Sequence, residues 1–374
     1  MFNIILFFAL SFYVYFVSKS YFIGQVSSQK VFFVVFFIVH FAAMGYAYNS
    51  NIIDSVVYYN LAKNANSWVS IFGVGSTFLS FLIYPLVQAG VSMFVLYCLF
   101  ATISYQTFLW YFDQMSGHFS REVSFYGIPI TQMFFLLPSL HYWSGFLGKD
   151  VLTFLFLTYL LFEIKKKSKF NFWHSLVLVL LLLLRPHVFM VFFVSVFLWF
   201  FTQKNISMKI KAKSLLLAAL VISVTMPILM FFANIKDLYY NTIQEKWRGL
   251  NIYATHSGSG VDLMESSYLG RIGLLLFRPL YYDAVTFYQY VISTENSFVL
   301  IFFIWAIIYL YSKRKTIVIA GDVKMALLTG CLIVLMIAIY IYNLGLASRM
   351  RLMFMPLFFY ALHRLVHSCS VEKA

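Results

Sequence analysis

The sequence predicts an all-α, polytopic integral membrane protein of about eleven transmembrane helices, with re-entrant or interfacial segments on one face. Three observations predict it. Of the 374 residues, 62% are hydrophobic and 11% charged, and the mean hydropathy is +0.84, whereas soluble domains run roughly 45–50% apolar and about 25% charged. Apolar runs of about membrane-crossing length recur along the whole chain. Basic residues gather between those runs instead of spreading over a surface. Soluble, disordered, collagenous and disulfide-rich classes are excluded by the same composition.

The candidate spans, in order, are 2–17, 31–48, 91–112, 125–140, 151–164, 173–184, 187–201, 214–234, 296–311, 325–342 and 352–366. The first lacks a basic flank and a small-residue cleavage site, so it reads as a retained span. Segment 68–88 is apolar but carries Gly73, Gly75, Ser76, Ser80 and Pro85, which favours an interfacial or re-entrant element. Segment 272–291 is broken by Arg278-Pro279 and Asp283 in the same way. No internal repeat or linker is evident, so residues 1–374 read as one membrane domain. Residues 49–90 form a first outer loop and residues 235–295 a large one.

Lys165, Lys166, Lys167 and Lys169 form one basic cluster, Lys204, Lys209, Lys211 and Lys213 a second, and Lys313, Arg314, Lys315 and Lys324 a third. The positive-inside rule places all three in the cytoplasm. The stretch between the first two must then be a hairpin turned at Arg185-Pro186-His187. Parity puts the N-terminus outside and the C-terminus inside. The net charge of +14 caps hydrophobic runs and forms no basic face interleaved with aromatics, so nucleic acid is not an expected partner. Cys98, Cys331 and Cys369 lie far apart and show no metal or redox spacing.

The informative residues are the charges expected on the outer face, because charge there is not needed for orientation. Asp54, with Tyr58 nearby, either serves as a general base or caps a short helix over 55–63. The run from Pro138 to Asp150 holds His141, Trp143, Lys149 and Asp150, which combine proton transfer, anion binding and a ring suited to sugar stacking. Its alternative is an aromatic belt with a solvated ion pair. Arg185 with His187 suits a phosphate and a base, or the arginine snorkels outward. The large loop carries Lys246-Trp247-Arg248, His256, Ser-Gly-Ser-Gly260, Asp262, Arg271, Arg278 and Glu295. Its Ser-Gly run reads as a mobile segment. Arg349 and Arg351 breach the positive-inside trend, which points to an anionic ligand or to lipid phosphate. No metal-ligand spacing is present. A divalent cation on Asp54 or Asp262 is the one cofactor these residues leave open.

The order Asp54…Tyr58, Pro-Ser-x-His-Tyr-Trp-Ser-Gly-x-x-Gly-Lys-Asp, Arg-Pro-His, Phe-Arg-Pro-Leu, Glu-Asn and Asn-x-Gly-x-Ala-Ser-Arg resembles bacterial polysaccharide polymerases of the Wzy/EpsG type. In style it is also similar to GT-C multispanning glycosyltransferases. The resemblance implies that repeat units carried on undecaprenyl pyrophosphate are joined at the periplasmic face of the inner membrane. Membrane lipids, a flippase and a chain-length regulator would be the other partners. It further implies Asp54, Asp150 and His187 as catalytic groups and Lys149, Arg185, Arg271, Arg278, Arg349 and Arg351 as phosphate-binding. Tyr58, His141, Trp143, Asp262 and Glu295 would contact glycan. A GT-C transferase using a polyprenyl-phosphate sugar, and a lipid-glycan flippase, are the competing expectations.

Overall fold

A computed structural model describes the chain except residues 24, 117–123, 126–127, 167–168, 204–206, 234–239, 256–258, 314–318 and 372–374. Lys167, Lys204, Arg314 and Lys315 of the basic clusters, and His256, lie outside the described residues. The helices fall into two compact units. One comprises residues 1–166, 313–317 and 362–374, the other residues 167–312 and 318–361.

The first unit opens with α1 (Phe2–Phe22) and α2 (Ser27–Asn49), followed by α3 (Ile53–Asn64) and α4 (Ser76–Gln88). Helix α5 (Met93–Ser116) comes next. It runs parallel to α1. Asn3 donates to the Gly90 carbonyl and accepts from the Ser92 amide at 2.8 Å at one end. Ser18 lies 2.9 Å from the Tyr105 hydroxyl farther along, and Tyr21 donates to Asp113 at the other end. Helix α2 is antiparallel to both, with Tyr48 against Phe94 and Phe33 against Phe112. The segment between α2 and α5 therefore leaves and re-enters on one side. The 13-residue α4 is too short for a crossing of about 17–25 residues, as the interfacial reading requires.

The expected span 125–140 takes another form. After a two-stranded hairpin, Ser124–Phe125 with Ile128–Pro129, the chain runs through a 3-10 stretch, Ile130–Leu136, into α6 (Pro138–Ser144). Pro138 starts that helix, where its missing N–H costs nothing. The path climbs beside α2: Gln132 meets Gln29, His141 meets His40, and Gly145 packs on Met44. It is a broken traverse whose extended 3-10 portion rises about 2 Å per residue. At Gly145 an added Cβ would sit 2.9 Å from the His141 carbonyl and 3.1 Å from the Met44 Cα, so glycine sets the spacing of α2 and α6. Helix α7 (Lys149–Lys166) bends by 107° from α6. It descends beside α5 until Lys165 donates to the Gln114 carbonyl. Lys19, Lys30, Lys165 and Lys166 thus share the end opposite Asp54 and Lys149.

The second unit holds α8 (Phe172–Leu184), α9 (Pro186–Phe201), α10 (Met208–Ala233), α11 (Tyr240–Thr255), α12 (Tyr268–Phe277) and α13 (Phe287–Ser312). Helices α14 (Gly321–Ala338) and α15 (Leu344–Met350) and the first turns of α16 (Met355–Val371) complete it. Arg185 alone separates α8 from α9, a tighter joint than the 2–5 residues usual for a helical hairpin. Helices α9 and α14 run antiparallel: His187 faces Tyr340 at one end, and Trp199 faces Gly321 at the other.

Six described helices, α1, α2, α5, α10, α13 and α14, are long and apolar enough to cross a membrane, and the bent pair α6–α7 passes the same test only when its two arms are taken together. This is the architecture of a multi-pass membrane protein. Helices α8 and α9, at 13 and 16 residues, fall short of a full crossing on their own.

Candidate functional site at the arginine end of the second unit

The antiparallel packing of α9 and α14 gives the second unit two ends that differ in their charged residues. Lys211, bonded to the Phe201 carbonyl at 2.9 Å, and Lys324, in the first turn of α14, lie at the Trp199 end. Arg185, Arg271, Arg278, Arg349 and Arg351 lie at the other, with His187 and Tyr340. Three links hold the segments around α12, α13 and α15 at this end, and the Arg185–Met350 and His187–Tyr340 contacts add the start of α9.

The first link is Arg351. It is 2% exposed, and its guanidinium donates from Nε to the Leu275 carbonyl at 2.9 Å, from Nη1 to Asn296 Oδ1, and from Nη2 to the Arg278 carbonyl. Asn296 passes its own amide to the Pro279 carbonyl at 2.6 Å. These acceptors cluster where the chain breaks at Arg278-Pro279 between α12 and α13. A planar five-donor fork is the side chain that can satisfy several such carbonyls at once. Arg351 is therefore a strut, which corrects its expected phosphate role. Glu295, buried on α13, supplies an opposing charge to Arg351. That corrects the expectation of a glycan contact at Glu295.

The second link is the Arg278–Asp283 pair. Arg278 Nε donates to Asp283 Oδ2 at 3.0 Å and its Nη2 to Oδ1. The Leu280 amide adds a bond to the same carboxylate at 2.8 Å. Burial pushes the Asp283 carboxyl up. The hydrogen bonds and charge of Arg278, with the Leu280 N–H, outweigh that and leave it below the usual carboxylate value. The Arg278 side chain keeps 35% exposure, so an edge of its guanidinium still faces outward, under the Tyr282 ring at 5.1 Å.

The third link is a bridge between loops. Gly260 pairs with Asn343, with Val261 N–H to Tyr342 O at 2.7 Å and Leu344 N–H to Ser259 O at 3.0 Å. An added Cβ at Gly260 would lie 2.3 Å from the Ala254 carbonyl. Ser259 and Gly260 are thus pinned, which corrects the mobile reading for that half of the Ser-Gly run. Asp262 caps the turn that follows. It accepts from the Met264 and Glu265 amides and from Asn251, and is exposed. The Met264 amide chiefly, with Asn251 and Glu265, holds its carboxyl below the usual value against the opposing effect of desolvation.

Arg271 differs from Arg278 and Arg351. It is buried on α12, between Trp247 at 5.0 Å and Tyr268 at 5.7 Å from the ring centroids. Its Nη1 donates to the Ile339 carbonyl at 3.2 Å, and its Nε has no hydrogen-bond partner. Burial lowers its pKa, a change that Tyr268 partly offsets. A desolvated guanidinium with an unused donor, stacked between rings, is suited to an anion that carries a flat or ring-shaped substituent. Arg185 is buried in the joint between α8 and α9, with Nη1 3.9 Å from the Met350 sulfur, so it does not snorkel outward. Arg349 and His187 are partly exposed.

The remaining expected residues belong to the first unit. Asp54 lies inside the first turn of α3, with Ile52 in the capping position, which corrects the cap reading. It accepts from Tyr58 at 3.4 Å. Lys149 donates to Ser76 at 3.1 Å and sits 5.9 Å over the Tyr58 ring. Asp150 is fully buried in the first turn of α7, and Trp143 is partly exposed. His141 is fully buried against His40, which corrects its expected glycan contact. Sequence reasoning missed His40, Asn296 as the acceptor of Arg351, and Asn343 as the cap of α15. Asn343 alone left a signal, being a capping residue type just before an apolar helix.

Among the described residues no group of three His, Cys, Asp or Glu side chains could hold a metal ion. No protein family, curated protein or solved structure matches the chain.

Proposed function

We propose that the protein is a glycan polymerase that joins oligosaccharide repeat units carried on a polyprenyl pyrophosphate. One observation carries the reading: five arginines of the second unit collect at the end of α9 opposite Lys211 and Lys324, and Arg271 there sits between two aromatic rings with an unused donor. Arg271, the outward edge of Arg278, and Arg349 would neutralise the pyrophosphate. Trp247 and Tyr268 would stack on the first sugar. In the transfer, the bond from the anomeric carbon to the pyrophosphate oxygen breaks and a bond to the acceptor hydroxyl oxygen forms. The lipid pyrophosphate leaves as the anion, and His187, at the same end, takes the hydroxyl proton.

The proposal includes about eleven crossings of a bacterial inner membrane, with α7, α8, α9, the 130–144 traverse and α16 completing the set. The N-terminus is periplasmic and the C-terminus cytoplasmic. In that frame a flippase and a chain-length regulator are the natural partners. The test is deletion of the gene followed by gel analysis of surface glycan. Single repeats with long chains missing support polymerisation. Loss of one sugar from every repeat would assign a single-sugar transferase instead, and unchanged glycan would refute both.

A further inference from the structure

Helix α1 touches its unit along one side only. Tyr13 with Gln106, Ser18 with Tyr105 and Tyr21 with Asp113 tie it to α5, and Val14 is the one residue it buries. Where α1 stands away from α2, a cavity of about 680 Å³ opens between α1, α2 and α5. That volume lies in the range of ligand sites, about 300–1,000 Å³. The cavity is polarised. Because α1 and α5 are parallel and α2 runs against them, Phe7, Met44 and Phe94 line one end, while Phe22, Phe33 and Lys19 line the other. Lys30 extends the basic end, with Nζ 5.6 Å over the Phe22 ring. The carboxylate at that level, Asp113, is taken up by Tyr21 on the α5 side.

From Phe7 to Lys19 the groove runs about 18 Å along the helix axis. Half of a hydrocarbon core is about 15 Å. We infer that this groove binds one acyl chain of an anionic glycerophospholipid, with Lys19 and Lys30 meeting its phosphate and Phe7, Met44 and Phe94 its methyl end. The length argues for a chain that fills a single leaflet, because a long polyprenyl tail would extend well beyond a groove of about 18 Å. The charge argues for an anionic headgroup, since a zwitterionic one gains little from two lysines. This assignment is independent of the glycan reading, because it concerns the first unit and its lysine end.

The test uses the full chain reconstituted in nanodiscs of equal phosphatidylglycerol and phosphatidylcholine with identical chains. Native mass spectrometry then counts the lipid retained on release. The expected result is one phosphatidylglycerol per chain, retained about fivefold over phosphatidylcholine for each lysine engaged. Lys19→Glu, at an exposed position, abolishes the preference. Val34→Trp, which fills the groove from the α2 side, abolishes retention of either lipid while the protein stays monodisperse. No preference in the wild type, an unchanged preference in Lys19→Glu, or retention surviving Val34→Trp would each overturn the site. A co-purified polyprenyl phosphate displacing both phospholipids would overturn the choice of occupant.

Discussion

His40 and His141 meet ring to ring, Nδ1 to Nδ1 at 2.9 Å, with neither side chain exposed. The far nitrogen of His40 faces the Ala101 carbonyl at 2.9 Å and that of His141 the Phe135 carbonyl at 2.5 Å. Two imidazoles thereby join α2, α5 and the broken traverse at one point. Removing either ring leaves the buried Nδ1 of the other without this partner, at a cost of about 1–3 kcal/mol. His40→Ala and His141→Ala are each expected to lower the melting temperature in detergent. The double variant should cost less than the sum of the two. Strict additivity would show that the pair does not act as a unit.

Arg351 is expected to behave as a structural residue. Arg351→Met leaves the Leu275 and Arg278 carbonyls and Asn296 unsatisfied in a buried site, with a loss of about 3–5 kcal/mol. Arg351→Lys should rescue little, because one ammonium cannot reach three diverging acceptors. The check is expression and thermal stability. A stable Arg351→Lys protein that is impaired only in glycan synthesis would return Arg351 to the binding site.

Arg271 makes the opposite prediction. Arg271→Lys and Trp247→Ala should fold, since the side chain gives a single bond to Ile339, yet shorten surface glycan chains. The expected fall in transfer rate is about 10- to 100-fold for loss of a charge-assisted contact. Wild-type chain lengths in both variants would remove Arg271 from the phosphate site.

The Arg278–Asp283 pair gives a pH dependence. The folded carboxyl lies below its free value of about 3.8, so its contribution is present above that value and is lost as pH falls through the folded pKa. Partial exposure of Arg278 keeps the contribution to about 1 kcal/mol. Thermal melts between pH 7 and pH 3 should show a drop at the acid end that Asp283→Asn flattens. A parallel drop in the variant would place the acid sensitivity elsewhere.

Gly145→Ala forces a Cβ against the backbone of Met44 and the His141 carbonyl, neither of which can rotate away. Destabilisation of about 1–3 kcal/mol is expected, read as a lower melting temperature. An unchanged melting temperature would mean that α2 and α6 tolerate a wider spacing.

Long uniform helices were legible in the sequence because α1, α2, α5, α10, α13 and α14 each carry an unbroken apolar stretch. The break at Arg278-Pro279 was legible too, because proline disfavours helix in the residue before it. The 130–144 traverse was not, since a 3-10 path that leans on α2 has no helical period to detect. The roles of the arginines were legible only in part. Residue type announces an anion or a carbonyl cluster equally well, and nothing local distinguishes Arg351, whose acceptors lie 55 to 76 positions away, from Arg271, which keeps a donor unused.

Asn343 does two jobs with different atoms. Its backbone registers against Gly260, and its side chain accepts from the Leu346 amide at 2.6 Å to start α15. The helix that presents Arg349 and the loop that leads to Asp262 therefore share a latch. Shortening or lengthening either connection by one residue would throw both out of alignment.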